Sequence, residues 1–207
     1  PECIAFLSRH KAASGRPSLT VHPVGNWGGA DYGGTPAAVS GTAPGWMTGL
    51  LLAITRTAPA GYQACFEATH HGPLLETPAF FVEIGSDESR WELREPAEVL
   101  ARALLALEPA SGIALVGIGG GHYAPRHIDV IRKTNCWAGH QIAGYALEME
   151  RPDDPDWEPT SGPLPAGQWA HSIRVCLEST REAFPGGQFV AHLDRKSFKG
   201  SQRQAII

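Results

Sequence analysis

Two short stretches of this 207-residue chain combine residue types that do chemistry near neutral pH. Glu67-Ala68-Thr69-His70-His71-Gly72-Pro73 sets a carboxylate beside adjacent imidazoles. Val116-Gly117-Ile118-Gly119-Gly120-Gly121-His122-Tyr123-Ala124-Pro125 runs from an apolar segment through three glycines to a histidine and a tyrosine. Imidazole exchanges protons near pH 7 and, when neutral, ligates zinc. On an extended strand alternate residues share a face, which groups His71 with Glu67 and Thr69; a strand ending at Thr69 lets the Gly72-Pro73 turn swing His70 and His71 to one side. Glycines accept positive φ and leave backbone N–H groups open to a ligand, so Gly119, Gly120 and Gly121 suit an anion or an oxyanion. The alternative for the turn is a plain strand-to-helix connector whose His122 satisfies a local hydrogen bond, and for His70-His71 a pair of unliganded surface side chains. His-His lacks the i, i+4 spacing of the helical zinc motifs, and the chain has no Cys-x-x-Cys pair.

Glu83 is the third candidate. It interrupts Phe80-Phe81-Val82-Glu83-Ile84-Gly85-Ser86, whose apolar neighbours describe a strand covered on both faces. A carboxylate in that setting is costly unless it is paired, hydrogen-bonded or metal-bound.

The elements that must position these groups follow from periodicity. Strands are expected at Cys3 to Leu7, Leu19 to His22, Tyr62 to Thr69, Ala79 to Ile84, Ile113 to Ile118, Cys136 to Gly139 and Gln188 to Leu193. Helices are expected at Pro44 to Arg56, Glu95 to Leu107, Pro125 to Lys133 and Gln168 to Ala183, each with apolar residues at helical spacing. The alternation predicts a single α/β domain with a mixed, mostly parallel sheet flanked by helices. Open α/β sheets bind ligands at the carboxyl ends of their strands. Ser8-Arg9-His10, His22-Pro23 with Asn26, His70-His71, Glu83 and Gly119 to His122 all fall at such ends and are expected to meet in one crevice. Pro23 to Ala43, rich in glycine, is longer than an ordinary connection and is expected to be functional or mobile; the proline-rich Arg151 to Ala166 is expected to be a surface excursion.

Composition bounds the partners. With 43% hydrophobic residues and 18% charged, the chain can bury one substantial core. No apolar run approaches the ~20 residues of a membrane helix, and four separated cysteines fit a reduced, cytoplasmic setting. The net charge of -4 conceals basic ends. Arg9, Lys11 and Arg16 are the only formal charges from Cys3 to Ala30, and Arg195, Lys196, Lys199 and Arg203 outnumber Asp194. Those ends suit a phosphate-bearing ligand, although a sequence pI near 6.1 argues against general nucleic-acid binding.

Taken together, Phe6-Leu7-Ser8-Arg9-His10, Leu19-Thr20-Val21-His22-Pro23 with Gly25-Asn26, Glu67 to Pro73, Phe81 to Ser86, Gly119 to Pro125, Gly139-His140 and Asp194 to Gly200 resemble the archaeal and plant type of D-aminoacyl-tRNA deacylase. The resemblance runs from end to end and implies one domain over residues 1–207 that lacks an additional N-terminal strand-and-helix segment of the family. It implies a fold similar to peptidyl-tRNA hydrolases and nucleoside phosphorylases, hydrolysis of the ester joining a D-amino acid to the terminal ribose of tRNA, and a zinc requirement. The corresponding roles are water activation by His71 or His122, zinc held by His70, His71 and His122 with Glu83, and an oxyanion cradle from Gly119 to Gly121. Ser8, Arg9, His10, His22, Asn26, Glu67, Tyr123, Lys196 and Lys199 would bind substrate, Glu67 or Glu83 meeting its α-ammonium group and the basic residues its phosphates. The partner expected is charged tRNA, with no membrane and a monomeric enzyme. A small-molecule metallohydrolase or phosphorylase-like enzyme and a catalytically inactive tRNA-binding fragment are the alternatives.

Overall fold

The structure, a computed structural model, describes residues 2–109, 112–149 and 167–207; the expected excursion from Arg151 to Ala166 lies outside them. In chain order the elements are β1 (Ile4–Lys11), β2 (Ser18–Pro23), α1 (Pro44–Thr57), β3 (Gln63–Phe66), β4 (Ala79–Ser86), α2 (Glu88–Trp91), α3 (Arg94–Leu105), β5 (Ile113–Ile118), α4 (Pro125–Lys133), β6 (Cys136–Ile142), α5 (Gln168–Ala183), β7 (Gln188–Leu193) and α6 (Gly200–Ile206). The α/β class holds, but the strands form two ladders. One has the order β1-β4-β2-β3 and the other β6-β5-β7, and only the β2–β4 pairing is antiparallel.

The division arises where β3 ends at Phe66. Beyond it the chain keeps one ladder bond, Glu67 N–H to Val21 O (3.0 Å), and then turns to the second ladder. There Ala68 N–H donates to His122 O (2.6 Å) and Thr69 N–H to Gln141 O (2.7 Å). Residues 67–69 are therefore the seam between the two sheets.

Side-chain alternation decides what each face carries. On the first sheet Leu19 and Val21 of β2 and Phe80 and Val82 of β4 pack with Met47, Leu50, Leu51 and Ile54 of α1, all essentially inaccessible. The opposite face takes the residues between them. Phe6, Ser8 and His10 of β1, Phe81 and Glu83 of β4, Thr20 and His22 of β2 and Cys65 of β3 share it by register, and Glu67 continues the alternation. The same period that builds the core thus collects the polar residues on one surface. In the second sheet β5 is buried along nearly its whole length, as suits the central strand of a parallel ladder. Its apolar side meets Trp169, Ile173 and Cys176 of α5.

Four boundaries moved in ways that matter: β3 stops at Phe66, three residues before the expected Thr69, and β4 runs on to Ser86, which leaves Glu83 inside the strand and not at its end. β1 extends to Lys11, so Ser8-Arg9-His10 lie within the strand and not after it. β6 extends to Ile142, carrying His140 and Gln141 to the seam.

Candidate active site

Glu67 is the centre of the polar face and is fully buried. Its Oε2 accepts a hydrogen bond from His122 Nε2 (3.2 Å) and lies 3.4 Å from His70 Nε2. Its Oε1 is 3.1 Å from His10 Nδ1, an ion-pair distance without hydrogen-bond alignment, so that oxygen keeps an unused lone pair inside the site. Burial by itself raises the Glu67 pKa; the hydrogen bond from His122 and the charges of His10, His70 and His122 outweigh it, and the net shift is downward. Glu67 is thus held as a carboxylate.

The hydrogen-bond directions fix the tautomers. His70 Nδ1 is 2.8 Å from Ala68 O and His22 Nδ1 is 2.9 Å from Pro23 O. A carbonyl only accepts, so both rings carry their proton on Nδ1 and turn a bare Nε2 toward the carboxylates. His22 Nε2 is 3.9 Å from Glu83 Oε2 and has no hydrogen-bond partner among the described residues, although the ring is fully buried. Burial drives the His22 pKa far down, helped by neighbouring His70, and takes that of His70 to about 4 against the pull of Glu67. Both are neutral at physiological pH. His71, in the left-handed region at φ +38°, completes this group, its ring 4.4 Å from that of His70 and 4.9 Å from that of His22. Phe81 backs the set, stacked on His22 at 5.0 Å.

His10 and His122 differ in kind. Each turns one nitrogen to Glu67 and the other to a phenol: His10 Nε2 to Tyr123 Oη (2.9 Å) and His122 Nδ1 to Tyr145 Oη (3.1 Å). Their rings stand 6.3 Å apart, nearly parallel.

The positions expected to converge do so in part. His10, His22, Glu67, His70, His71, Glu83, His122 and Tyr123 share one site. Strand parity had paired His71, not His70, with Glu67; because the extended chain ends before the histidines, it is His70 that reaches the carboxylate. Asn26 does not face the site: its amide donates to Gly33 O (3.0 Å) and Thr35 O (3.3 Å), tying the long loop to itself. Arg9 lies on the opposite face of β1 from His10, its guanidinium 4.9 Å over the Trp91 ring. Ser8 shares the face of His10 opposite Glu83 in register. The glycine turn also differs from an oxyanion cradle at two of its positions. Gly119 N–H donates to Ile142 O (2.8 Å) and Gly120 N–H to Ser197 Oγ (2.6 Å), so both amides are spent inside the protein. The positive φ of Gly119 (+91°) and Gly120 (+84°) instead lets the turn fold between Phe198 and His127 and hold His122 over Glu67. Lys196 and Lys199 are exposed on the segment that carries Ser197, so the basic end abuts the outside of this turn.

Residues unassigned from sequence support the site. His140, fully buried, meets Thr69 Oγ1 (3.1 Å) and Ser40 O (2.9 Å), and Trp27 donates to Thr69 O (3.0 Å), fixing the strand end beneath His70. Gln141, 1% exposed, finds no hydrogen-bond partner for either side-chain amide atom among the described residues. Tyr145 covers His122. The carboxyl-end rule, applied to β6 at its observed length, points to His140 and Gln141 as it did to the others.

Comparison with known proteins gives a consistent picture. Residues 1–207 match the family model described as D-aminoacyl-tRNA deacylase. The chain is 40% identical over 232 residues to a D-aminoacyl-tRNA deacylase of Arabidopsis thaliana, covering 98% of this chain and 71% of that protein. It is 40% identical over 156 residues to that of Thermococcus kodakarensis, covering 73% of this chain and 57% of the relative. For that of Methanosphaerula palustris the identity is 46% over 140 residues, 67% of this chain and 32% of the relative. The crystal structure of a conserved protein of unknown function superposes with a TM-score of 0.80 at 31% identity, covering 99% of this chain and 66% of that one.

Proposed function

Because the chain belongs to the D-aminoacyl-tRNA deacylase family, we propose that it hydrolyses the ester between a D-amino acid and the terminal ribose of tRNA. It spans 71% of the plant relative and 57% or 32% of the two archaeal relatives compared, so the activity is assigned to the site that it contains. The observation that carries the proposal is the buried Glu67 carboxylate contacted by His10, His70 and His122 at the seam of two sheets.

Ester hydrolysis needs a base for the attacking water and a proton for the departing alkoxide. His122 fits the base. Its Nε2–H is held by Glu67, which stabilises the imidazolium formed when Nδ1 takes the proton of water. Tyr145 Oη, 3.1 Å from Nδ1, stands where that water would sit. The exposed Lys196 and Lys199 beside the glycine turn suit phosphates near the acceptor end.

The residues present fit a zinc ion. His22 and His70 offer bare, neutral Nε2 atoms with Nδ1–H anchored to backbone carbonyls, the arrangement that orients metal-binding imidazoles. Ligand atoms of His22, His70 and His71 lie within 4.8 Å of one another. We assign these three as the holding set in place of His70, His71 and His122, because both nitrogens of His122 are engaged. A bound zinc ion would act as a Lewis acid toward the ester carbonyl or a water molecule. Zinc titration followed calorimetrically should give one site in the wild type and none in a His22→Asn/His70→Asn variant; equal binding by both would remove the assignment.

The activity is tested by deacylation of matched D- and L-aminoacyl-tRNAs. Turnover confined to the D-ester and abolished by His122→Asn is expected. Equal turnover of both enantiomers, or full activity in the variant, would refute the reading; release from simple D-amino acid esters but not from tRNA would favour a small-molecule hydrolase.

A further inference from the structure

Tyr123 stands on the rim of the site, 36% exposed, with its hydroxyl 2.9 Å from His10 Nε2. On its other side His10 faces two buried carboxylates, with Nδ1 3.1 Å from Glu67 Oε1 and 3.6 Å from Glu83 Oε2. Ionised carboxylates only accept, so Nδ1 carries a proton. Two negative charges around one ring also favour a second proton on Nε2. Burial alone would lower the His10 pKa, yet the adjoining Glu83 carboxylate and the charge of Glu67 overcome it and raise it. The imidazolium then donates from Nε2 to the phenol oxygen, which frees the Tyr123 O–H to point outward. Burial, followed by the charge of Glu67, raises the Tyr123 pKa, so the phenol keeps its proton.

This chain differs from the one through His122. There a ring with its proton on the Glu67 side presents Nδ1 as an acceptor, whereas here a cationic ring backs a donor. The two imidazoles flank the same carboxylate with centroids 6.3 Å apart. Neighbouring groups set apart in this way supply base and acid on two sides of one bond.

We propose that Tyr123 is the general acid of the deacylation, with His10 as its proton source. As the acyl C–O bond breaks, the electron pair stays on the ribose oxygen, which forms its O–H bond with the Tyr123 proton. The Tyr123 oxygen takes the Nε2 proton of His10, leaving a neutral ring that solvent reprotonates. The proposal rests on the deacylase reading, which gives the reaction its alkoxide leaving group.

The test uses the full chain and D-aminoacyl-tRNA with wild type, Tyr123→Phe, His10→Gln and the double variant. Tyr123→Phe should lower kcat by about 10²–10⁴ with KM within about twofold, as for loss of a general acid. Added imidazolium buffer should restore part of that rate. Because the two residues act as one relay, the double variant should be no slower than Tyr123→Phe. An unchanged kcat, a loss confined to KM, a rate indifferent to buffer acid, or multiplicative losses in the double variant would each overturn the assignment. Absence of wild-type turnover overturns the deacylase reading and this inference with it; wild-type turnover with unaffected Tyr123→Phe overturns this inference alone.

Discussion

Replacing Glu67 by Gln measures how far the site is built around one charge. The side chain is fully buried, with His122 Nε2–H on Oε2 at 3.2 Å and His10 Nδ1–H beside Oε1 at 3.1 Å. A Gln carbonyl can serve one of these protons; its NH2 must then face the other, donor against donor. The loss of one hydrogen bond to a charged group is worth about 1.5–3 kcal/mol, and a stranded buried donor about 1–3 more. Relief of the carboxylate's desolvation offsets part of this, though not all, because the net pKa shift of Glu67 is downward and its partners outweigh burial. The balance is about 2–4 kcal/mol at pH 7, which for a chain of this size lowers Tm by about 4–16 °C. A lowered pKa contributes stability that is present above the unfolded value of about 4.3 and lost as pH falls through the folded one. The deficit of the variant should therefore hold from pH 8 down to about 5 and narrow only below about 4.3. Urea denaturation of both proteins across that range is the assay, with Glu83→Gln as comparison. Glu83 contacts its histidines at 3.6 and 3.9 Å, beyond good hydrogen bonds, so its replacement breaks no hydrogen bond to them and should cost less than that of Glu67. A Glu67→Gln protein within about 0.5 kcal/mol of wild type at pH 7, the scatter of an ordinary surface change, would refute the reasoning.

Two further outcomes follow from buried groups and backbone. Burial takes the pKa of His140 to about 4 against the pull of its Ser40 bond, so the folded state excludes a proton that the unfolded chain accepts below about 6.5. Stability should be full above that pH and fall by about 3 kcal/mol as it drops toward 4; His140→Gln should flatten this slope in urea titrations at pH 7 and 5, and identical slopes would contradict the assignment. Gly119→Ala forces a Cβ into the φ +91° region, 2.5 Å from Phe198 Cε2, and should cost about 1–3 kcal/mol and displace His122. Gly121→Ala, with open space around its Cβ, should stay within about 0.5 kcal/mol in the same melt.

Most of the scaffold was legible because its elements bury continuous apolar stripes. β5, β7, α4 and α5 run as their periodicity predicts, and the helices over residues 44–57 and 94–105 shift by two residues at most. The errors fall where chemistry displaces packing. Ser8-Arg9-His10 looked like the residues after a strand because they are polar, whereas β1 lies at an edge and turns His10 toward the site. The short α2 and α6, four and seven residues long, bury nothing that would give them a stripe. Within the site, the carboxyl-end rule found His22, His70, His71 and His122, whereas His10 and Glu83 reach it from inside β1 and β4. It did not reveal that Gly119 and Gly120 spend their amides on Ile142 and Ser197, because those partners come from other parts of the chain. Tyr145 was invisible for the same reason: nothing local connects it to His122.

What the spacing of the histidines does not show, the acceptors around them decide. A single carboxylate cannot be served alike by His10, His70 and His122, because backbone carbonyls have already claimed a proton in some rings and not in others. His70, bound through Nδ1–H to Ala68 O, must meet Glu67 with a lone pair; His22, bound to Pro23 O, must meet Glu83 in the same way. Such lone pairs beside carboxylates repel unless a cation or a proton lies between them. His10 and His122 have no carbonyl on either nitrogen and are free to give a proton to Glu67 and to engage Tyr123 and Tyr145. Under the proposed function the cluster thus divides into a half that would hold zinc and a half that would transfer protons. Shifting His70 relative to the Ala68 carbonyl, as a one-residue insertion between Thr69 and His70 would do, should free its Nδ1–H from that acceptor and lower the proposed activity even with every histidine retained.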